Sequence, residues 1–323
     1  MVRRIILYFC PNTFNMYDII GDIHGHASEL LLMLGKLGYR YQNGAYRHPG
    51  RKVLFLGDYI DRGPDNLLCL QIVRNMVEAG SAVALMGNHE YNAICFHQED
   101  ENGGHLRAHK IKNINQHQAT LNSFHGKQDL YDDYINWFRS LPMYFENEEL
   151  RAVHACWEPK GLEIIKEHLS DGVLTEELAI VSSSEKTELY EAVEQVLKGV
   201  EIDLPDNEFF YDKDGNKRTK ARVKWWENSK LNTYKKLGMA LSSDFPADKE
   251  IQENVHQQIP FYGSKEKPVF FGHYWLKGKP ELRSDNSCCL DFSVAKGGVL
   301  AAYRFDGESQ LSPEKLVWVS ANE

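Results

Sequence analysis

The sequence predicts an α/β fold, because apolar runs near its start alternate with polar loops and helical patterns. Each of three apolar runs leads directly into a loop that opens with glycine. The run 17–20 precedes Gly-Asp-Ile-His-Gly, the run 53–56 precedes Gly-Asp-Tyr-Ile-Asp-Arg-Gly, and the run 82–86 precedes Gly-Asn-His-Glu. In sheets of this class the strand-end loops present the chemistry of the protein.

Helical patterns follow the first two loops. Residues 27–37 place four leucines on one face and end at Gly38. Residues 64–79 carry proline in the first turn and end before Gly80. Strand, loop and helix therefore repeat in this part of the chain, as an α/β sheet requires.

The later chain predicts further elements. The apolar runs 150–153 and 268–271 each lead to a histidine and predict buried strands. Residues 287–303, with a Gly-Gly pair inside, predict a terminal hairpin. The segment Ser-Ser-Ser-Glu at 182–185 predicts a capping box at the start of a helix that stops at Gly199.

Composition excludes several classes of protein. A chain of 323 residues with 42% hydrophobic and 26% charged residues is typical of a soluble globular protein, and it could form one large domain or two smaller ones. No apolar stretch reaches 18 residues, so we expect no membrane span. The net charge of −9 argues against general binding of nucleic acid. Six cysteines without Cys-x-x-Cys spacing favour a reducing cytoplasm over a disulfide framework.

The strand ends together carry a set of metal-binding side chains. One Gly-Asp loop alone would be ordinary turn chemistry, but three in order with histidine and asparagine at set offsets indicate a site. Carboxylate and amide oxygens with neutral imidazoles suit Mn²⁺, Fe or Zn²⁺. Six ligands exceed the needs of one tetrahedral ion, so we expect two ions that share one carboxylate, and such a pair is most useful on phosphate esters. The candidates are Asp22, His24, Asp58, Asn88, His154 and His273, with Asp58 as the natural bridge.

Taken in order, the motifs Gly-Asp-x-His-Gly, Gly-Asp-x-x-Asp-Arg-Gly, Gly-Asn-His-Glu, Val-His and Gly-His resemble the calcineurin-like metallophosphoesterase superfamily. More narrowly they resemble its phosphoprotein phosphatase branch, which includes bacterial serine/threonine phosphatases and symmetrical diadenosine tetraphosphatases. The resemblance implies two packed mixed β-sheets flanked by helices. It also implies a single domain over 16–323 with helical cap insertions at about 92–137 and 160–235, and we expect residues 1–15 to be an N-terminal extension.

The resemblance further implies how the ligands divide and what the neighbouring residues do. Asp22, His24 and Asp58 would hold the first metal, and Asp58, Asn88, His154 and His273 the second. A hydroxide that bridges the metals would attack the phosphoryl group, and His89 would protonate the leaving oxygen. Asp61 would hold His89, and Arg62 would clamp phosphate together with Asn88. Where the family usually has glycine soon after the histidine of Val-His, this chain has Ala155-Cys156-Trp157.

Other residues extend the expected site, each with a plainer alternative. Arg222 is the candidate for a second phosphate-binding arginine, with Arg218 behind it, or else part of a solvated strand edge. Trp225 and Trp226 could stack on a nucleobase or pack in the core. A lone histidine such as His154 is more often a packing residue, and His273 could belong to an aromatic core at a strand end, but the whole set of motifs favours both as ligands.

The insertion at 92–137 holds five histidines, which could form a third metal site or, as their irregular spacing favours, lie on a polar helical lid. Arg107, Lys110 and Lys112 on it could reach phosphates beyond the scissile group.

The sequence thus predicts a phosphoester or phosphoanhydride hydrolase with two divalent ions, Mn²⁺ first and Fe or Zn²⁺ next. The substrate would be a nucleotide, a small phosphoester or a phosphoprotein. A symmetrical dinucleoside tetraphosphate hydrolase and a protein serine/threonine phosphatase are the specific alternatives. A non-catalytic metal-binding module is disfavoured, because a silent site does not need an acid with an orienting carboxylate.

Overall fold

The computed structural model describes residues 16–169, 172–205, 208–211, 217–227, 229–239, 241 and 249–320. The expected extension at residues 1–15 lies outside these ranges. Within them, no helix has the length and apolar character needed to cross a membrane. The five cysteines described here are all buried as free thiols.

The strands, numbered along the chain, are β1 Tyr17–Ile20, β2 Arg40–Gln42, β3 Ala45–Arg47, β4 Lys52–Phe55, β5 Ala82–Ala84, β6 Tyr144–Glu146, β7 Arg151–Val153, β8 Glu201–Asp203, β9 Phe210–Tyr211, β10 Lys217–Arg218, β11 Lys220–Arg222, β12 Val269–Phe271, β13 Ser287–Cys289, β14 Asp291–Phe292, β15 Val299–Phe305 and β16 Leu316–Val319. The helices are α1 Ala27–Lys36, α2 Asn66–Glu78, α3 Asn88–His97, α4 Ile111–Ser123, α5 Gln128–Arg139, α6 Pro159–His168, α7 Glu176–Ser182, α8 Glu188–Lys198, α9 Tyr234–Leu237 and α10 Glu253–His256.

Two mixed sheets carry the architecture. The first has the order β14-β15-β1-β4-β5, with β16 also paired to β15. Its strands β1, β4 and β5 are parallel, whereas β15 runs antiparallel to β1. The second sheet has the order β13-β12-β7-β6, in which β12 is parallel to both β7 and β13.

Side-chain alternation shows that the sheets pack face to face. Ile19 and Leu54, which are register partners in β1 and β4, lie in one buried cluster with Phe270 of the second sheet. Their neighbours Ile20 and Phe55 belong to the other cluster, which includes the buried faces of the helices. Because successive strand residues point to opposite faces, each sheet has one face on the other sheet and one under helices. The predicted arrangement of two mixed sheets flanked by helices is confirmed.

The two early helices are confirmed nearly to the residue. Helix α1 ends at Lys36 with Leu37 as its C-cap, and Gly38 then takes the left-handed conformation with φ +92° that favours glycine. Helix α2 begins after Asp65, and Gly80 follows it with φ +68°. The predicted strands at 150–153 and 268–271 are β7 and β12.

The serine capping box is wrong. Helix α8 begins at Glu188, and Thr187 is its N-cap, because the Thr187 hydroxyl accepts a hydrogen bond from the backbone N–H of Tyr190 at 3.1 Å. Two of the serines instead end α7. The Ser182 and Ser183 hydroxyls donate back to carbonyls of that helix, which is the usual competition of serine with helix continuation.

Two other expectations need correction. Among the described residues, the helices of the insertion at 160–235 lie mainly in its part up to α8, since its later part contains the strand pairs β8–β11 and β9–β10 and only the start of α9. The terminal hairpin begins at 291, because β13 pairs with β12 in the second sheet while β14 pairs with β15 in the first. The chain passes from one sheet to the other at Leu290, whose buried carbonyl would lie 2.1 Å from a Cβ at Gly21.

Candidate metal centre

The strand ends of both sheets converge on one buried site. Five of these ends, after β1, β4, β5, β7 and β12, supply polar side chains that are at most 8% exposed. These side chains are Asp22, His24, Asp58, Asn88, His154 and His273. All six residues predicted from the sequence as ligands are therefore brought to the same edge of the two-sheet core.

Asp58 lies at the centre of this set. Its Oδ2 is 3.5 Å from Nε2 of His24, and its Oδ1 is 3.4 Å from Nε2 of His154. Two groups of possible metal donors result, each with donor atoms within 4.8 Å of one another: His24, Asp58 and His89, and Asp58, His154 and His273. Because Asp58 belongs to both groups, its two carboxylate oxygens face different halves of the site.

Asn88 lies in the second half. Its amide oxygen is 3.1 Å from Nε2 of His154 and 2.8 Å from Nδ1 of His273. An amide oxygen and two imidazole nitrogens thus converge at this point, and this mixture of oxygen and nitrogen donors suits Mn²⁺, Fe or Zn²⁺.

Second hydrogen bonds orient the imidazoles. Nδ1 of His24 donates to the carbonyl of Ile60 at 3.0 Å, and Nδ1 of His154 donates to the carbonyl of Leu56 at 2.8 Å. Each bond turns Nε2 toward the centre, as in metal-binding histidines generally. Burial lowers the pKa of His24 to about 4 and also lowers the pKa of His154, so both rings are neutral and able to bind a metal.

The residues fit a divalent cation. Asp22 Oδ1, His24 Nε2 and His273 Nε2 are buried without a hydrogen-bond partner among the described residues. Burial and the nearby carboxylates of Asp291 and Asp58 raise the pKa of Asp22 well above its ordinary value. Buried carboxylates that raise one another's pKa are an unfavourable arrangement unless a positive charge lies between them.

The backbone around the site is held in left-handed conformations. Positive φ angles occur at His24 (48°), Asp58 (54°), Asp61 (69°), Arg62 (67°) and His273 (72°). Such angles are costly for residues with a Cβ and concentrate at functional sites. Several site side chains are therefore aimed by strained loops that the surrounding structure must stabilise.

Glu90 supplies much of that stabilisation. Its carboxylate accepts hydrogen bonds from the backbone N–H groups of Asp58 at 2.9 Å, Tyr59 at 2.8 Å and Gly87 at 3.0 Å. Glu90 is fully buried. It therefore ties the loop after β4 to the start of α3, which carries Asn88 and His89.

His89 and Asp61 form a buried ion pair beside the centre. Nδ1 of His89 is 2.5 Å from Oδ2 of Asp61, and Nε2 of His89 is 3.9 Å from Oδ2 of Asp58. Burial alone would lower the pKa of His89, but the charges of Asp58 and Asp61 outweigh it and raise this pKa to about 9. The imidazolium is thus kept protonated at neutral pH, with Nε2 facing the metal-ligand set.

Sequence reasoning missed Asp291. This fully buried carboxylate accepts from the backbone N–H of Trp275 at 2.6 Å and of Ser293 at 3.0 Å, and it holds the loop that follows His273. Burial raises its pKa to about 6. The available signal was its position directly after an apolar run, as for Asp22 and Asp58.

A cavity of about 470 Å³ opens over the centre, and His89, Asp61 and His273 lie in its wall. Its rim carries six basic side chains from four parts of the chain. They are Arg62, Arg107, Lys112, Lys198, Arg218 and Arg222. Of the expected insertion residues, Arg107 and Lys112 therefore reach the cavity, whereas Lys110 is not part of its lining.

The arginines differ in how they are held. Arg62 is exposed and its guanidinium lies 5.6 Å from the ring centroid of Trp275. Arg222 pairs with Glu201 at 3.2 Å, and Arg107 donates to the amide oxygens of Asn92 at 2.9 Å and Gln116 at 2.7 Å. Both acceptors of Arg107 are neutral amides, so these hydrogen bonds do not neutralise the charge that Arg107 brings to the cavity lining.

The two tryptophans do not offer a free stacking surface. Trp225 is fully buried and its Nε1 donates to the carbonyl of Ala155 at 3.0 Å, while Trp226 is 4% exposed. Their rings pack on Phe271 at centroid distances of 4.8 and 4.9 Å. Nucleobase stacking on these residues is wrong, because the core has already covered both rings.

The chain belongs to the calcineurin-like phosphoesterase family, whose model matches residues 17–273. The expected superfamily is thereby confirmed.

Similar curated proteins include three bacterial enzymes named bis(5'-nucleosyl)-tetraphosphatase PrpE [asymmetrical]. That of Halalkalibacterium halodurans is 47% identical over 74 residues, covering 23% of this chain and 30% of the relative. That of Oceanobacillus iheyensis is 30% identical over 139 residues, covering 43% and 54%. That of Bacillus subtilis is 29% identical over 147 residues, covering 43% and 57%. The chain thus spans between about a third and just over half of the length of these relatives.

Among solved structures, a candidate diadenosine tetraphosphatase has a TM-score of 0.47 at 16% identity, with 96% of each chain covered. A protein serine/threonine phosphatase from Saccharomyces cerevisiae has a TM-score of 0.45 at 14% identity, with 96% of this chain and 80% of that one covered.

Proposed function

We propose that this chain is a metal-dependent hydrolase of phosphate esters or phosphoanhydrides. The observation that carries the proposal is Asp58, which is shared by two donor groups whose other members are buried and aimed at it. The first ion would be held by Asp22, His24 and Asp58, and the second by Asp58, Asn88, His154 and His273. Mn²⁺ is the first choice, and the same donors suit Fe or Zn²⁺.

When bound, such ions would lower the pKa of water and neutralise charge on the phosphoryl group. His89 would act as the general acid. Its Nε2 faces the ligand set, and Asp61 holds the proton-bearing ring by the 2.5 Å hydrogen bond to Nδ1. A leaving oxygen near Nε2 would receive the proton as its bond to phosphorus breaks. This pair disfavours a non-catalytic metal-binding module.

Arg62, Arg222 and Asn88 would bind the transferring phosphoryl group. Arg62 is exposed on the cavity rim, and a planar guanidinium matches two phosphate oxygens. Arg222 also lines the cavity, and its hydrogen bond to Glu201 holds its guanidinium. Asn88 lies at the second metal group, so its side chain serves metal and phosphate together.

The basic rim favours a substrate that carries more than one phosphate. Arg107 and Lys112 lie on the insertion, and Lys198 and Arg218 on another part of the wall, so positive charge extends beyond the metal centre. A dinucleoside tetraphosphate fits this charge, and the relatives' name points the same way. A protein serine/threonine phosphatase is the alternative. In either case we propose one domain over 16–323, with the inserted segments as its cap.

The test compares the hydrolysis of three substrates by metal-stripped protein that has been reloaded with Mn²⁺. The substrates are p-nitrophenyl phosphate, a phosphoserine peptide and diadenosine tetraphosphate, compared by kcat/KM. ADP as the sole product of the dinucleotide means symmetrical cleavage, whereas ATP with AMP means asymmetrical cleavage. Asp58→Asn is expected to abolish turnover, while the exposed Asp129→Asn serves as the matched control. Full activity of Asp58→Asn would refute the proposal.

A further inference from the structure

The Asp61 carboxylate is held by the insertion as well as by His89. Nδ1 of His117 lies 2.9 Å from Asp61 Oδ1, and the Thr120 hydroxyl donates to the same oxygen at 2.5 Å. The Thr120 oxygen also accepts from the backbone N–H of Asp61 at 3.1 Å. Both residues are on α4, and both are buried. Oδ2 of Asp61 is left to His89.

The direction of the bond to Asp61 follows from the carboxylate. Burial alone would raise the pKa of Asp61, but its hydrogen bonds to His117 and His89 lower it. An ionised carboxylate only accepts, so Nδ1 of His117 carries the proton that it donates to Oδ1. Nε2 of His117 lies 2.7 Å from the hydroxyl of Tyr131 on α5 and is hydrogen-bonded to it. Both nitrogens of His117 are occupied in this way, so it binds neither metal nor substrate through them.

We propose that His117 is a positioning residue for the reaction, acting through Asp61 on His89. A carboxylate can rotate about its terminal bond. The two donors to Oδ1, His117 and Thr120, hold the carboxylate in one orientation, so that Oδ2 faces Nδ1 of His89. The Asp61 backbone is strained, with φ 69°, so it needs such external support. This inference rests on the proposed function, in which His89 is the acid.

The first experiment separates acid catalysis from a general loss of structure. His117→Ala is expected to lower kcat at least about tenfold on a phosphoserine peptide, whose alkoxide leaving group needs a proton. On p-nitrophenyl phosphate, whose leaving group is stable as an anion, kcat should fall less than about threefold. KM should change little on either substrate. His117→Asn, which keeps a donor near the position of Nδ1, should restore most of the loss.

The matched control is His125→Ala, since His125 is exposed on the same insertion. It should match wild type on both substrates. Equal losses of kcat on both substrates in His117→Ala would show a merely structural role and overturn the proposal, and so would unchanged kcat on both. If His117→Ala fails to fold, Tyr131→Phe, which removes the partner of His117 Nε2 and frees the ring to turn, carries the same comparison.

The second experiment does not depend on turnover. Proton NMR of the metal-free protein should show a downfield resonance for the Nδ1 proton shared by His89 and Asp61, identified by its loss in His89→Asn. His117→Ala should shift or broaden this resonance, and His125→Ala should not. An unchanged resonance in His117→Ala overturns the proposal. If wild type releases no phosphate but the resonance responds to His117, the proposed function fails while the positioning contact stands.

Discussion

Asp22→Asn should stabilise the metal-free protein and remove most of the stabilisation that metal provides. Asp22 is 2% exposed, its Oδ1 has no hydrogen-bond partner among the described residues, and the charges of Asp291 and Asp58 add to the effect of burial on its pKa. A carboxyl whose pKa is raised on folding destabilises the fold above its unfolded pKa, because the unfolded chain ionises more readily. Asparagine removes that penalty at neutral pH.

The magnitude follows from two opposing terms. Removing an unpaired buried charge stabilises the folded state by several kcal/mol. Against this, the amide group that takes the position of Oδ1 has no hydrogen-bond partner there, which costs about 1–3 kcal/mol. The amide oxygen can still accept from the backbone N–H of His273, now at 3.0 Å from Asp22 Oδ2. We therefore expect a net gain of roughly 2 kcal/mol in the metal-free protein, a rise of several degrees in Tm.

Metal cancels this advantage of the variant. At free Mn²⁺ of about 100 times the Kd, wild type gains about 2.7 kcal/mol, whereas a variant with 100-fold weaker binding gains only about 0.4 kcal/mol. Thermal unfolding with chelator and with a Mn²⁺ series measures both terms. Asp18→Asn is the matched control on the same chain segment, because Asp18 pairs with Arg51 at 3.0 Å outside the site. Its Mn²⁺-induced rise in Tm should persist in full. A metal-free Asp22→Asn that melts below wild type, or one that keeps the full Mn²⁺-induced rise, would refute the reasoning.

Three further changes probe the acid, the rim and the loops. His89→Asn should lower kcat on a phosphoserine peptide about 10²- to 10⁴-fold without unfolding the protein, and an unchanged kcat would exclude it as the acid. Arg107→Ala should raise KM for diadenosine tetraphosphate about tenfold but not KM for p-nitrophenyl phosphate, because its charge lies on the insertion; equal changes would count against a role in substrate choice. In Gly272→Ala the new Cβ would lie 1.9 Å from Oδ1 of Asp22, so calorimetry should show Mn²⁺ affinity at least about tenfold weaker. Gly35→Ala, where a Cβ meets nothing within 4 Å, should leave that affinity intact and stabilise α1 by about 0.5–1 kcal/mol; equal affinities in the two variants would contradict the account.

The centre was predictable because its signals are local. Each metal-ligand candidate lies within a few residues of the end of an apolar run, so a strand end and a ligand are visible together. Strands such as β1 and β4 are buried on both faces and end in the unbroken apolar runs Ile19-Ile20 and Val53-Leu54-Phe55, which makes them easy to recognise. At Gly21, Gly57 and Gly87 the glycine after the strand marks where the loop passes closely by another backbone.

Contacts between distant segments could not be predicted in this way. His117 meets Asp61 across 56 positions, and Asp291 supports the loop after His273 from a strand in the other sheet. Trp225 seemed available to a ligand because the sequence does not show that Phe271 and Ala155 cover it. The serine segment failed because Thr187, two residues later, offers the better cap for α8.

The central claim is that hydrolysis depends on two metal ions that share Asp58. Measuring metal content and activity on the same samples tests it most directly. Metal-stripped protein would be titrated with Mn²⁺, with bound ions per chain and phosphate release followed on the same samples. Activity that rises to a maximum at two ions per chain, together with loss of the second ion in Asp58→Asn, is the result that we predict. Full activity in chelator, or saturation at two ions with no product from any of the three substrates, would contradict it.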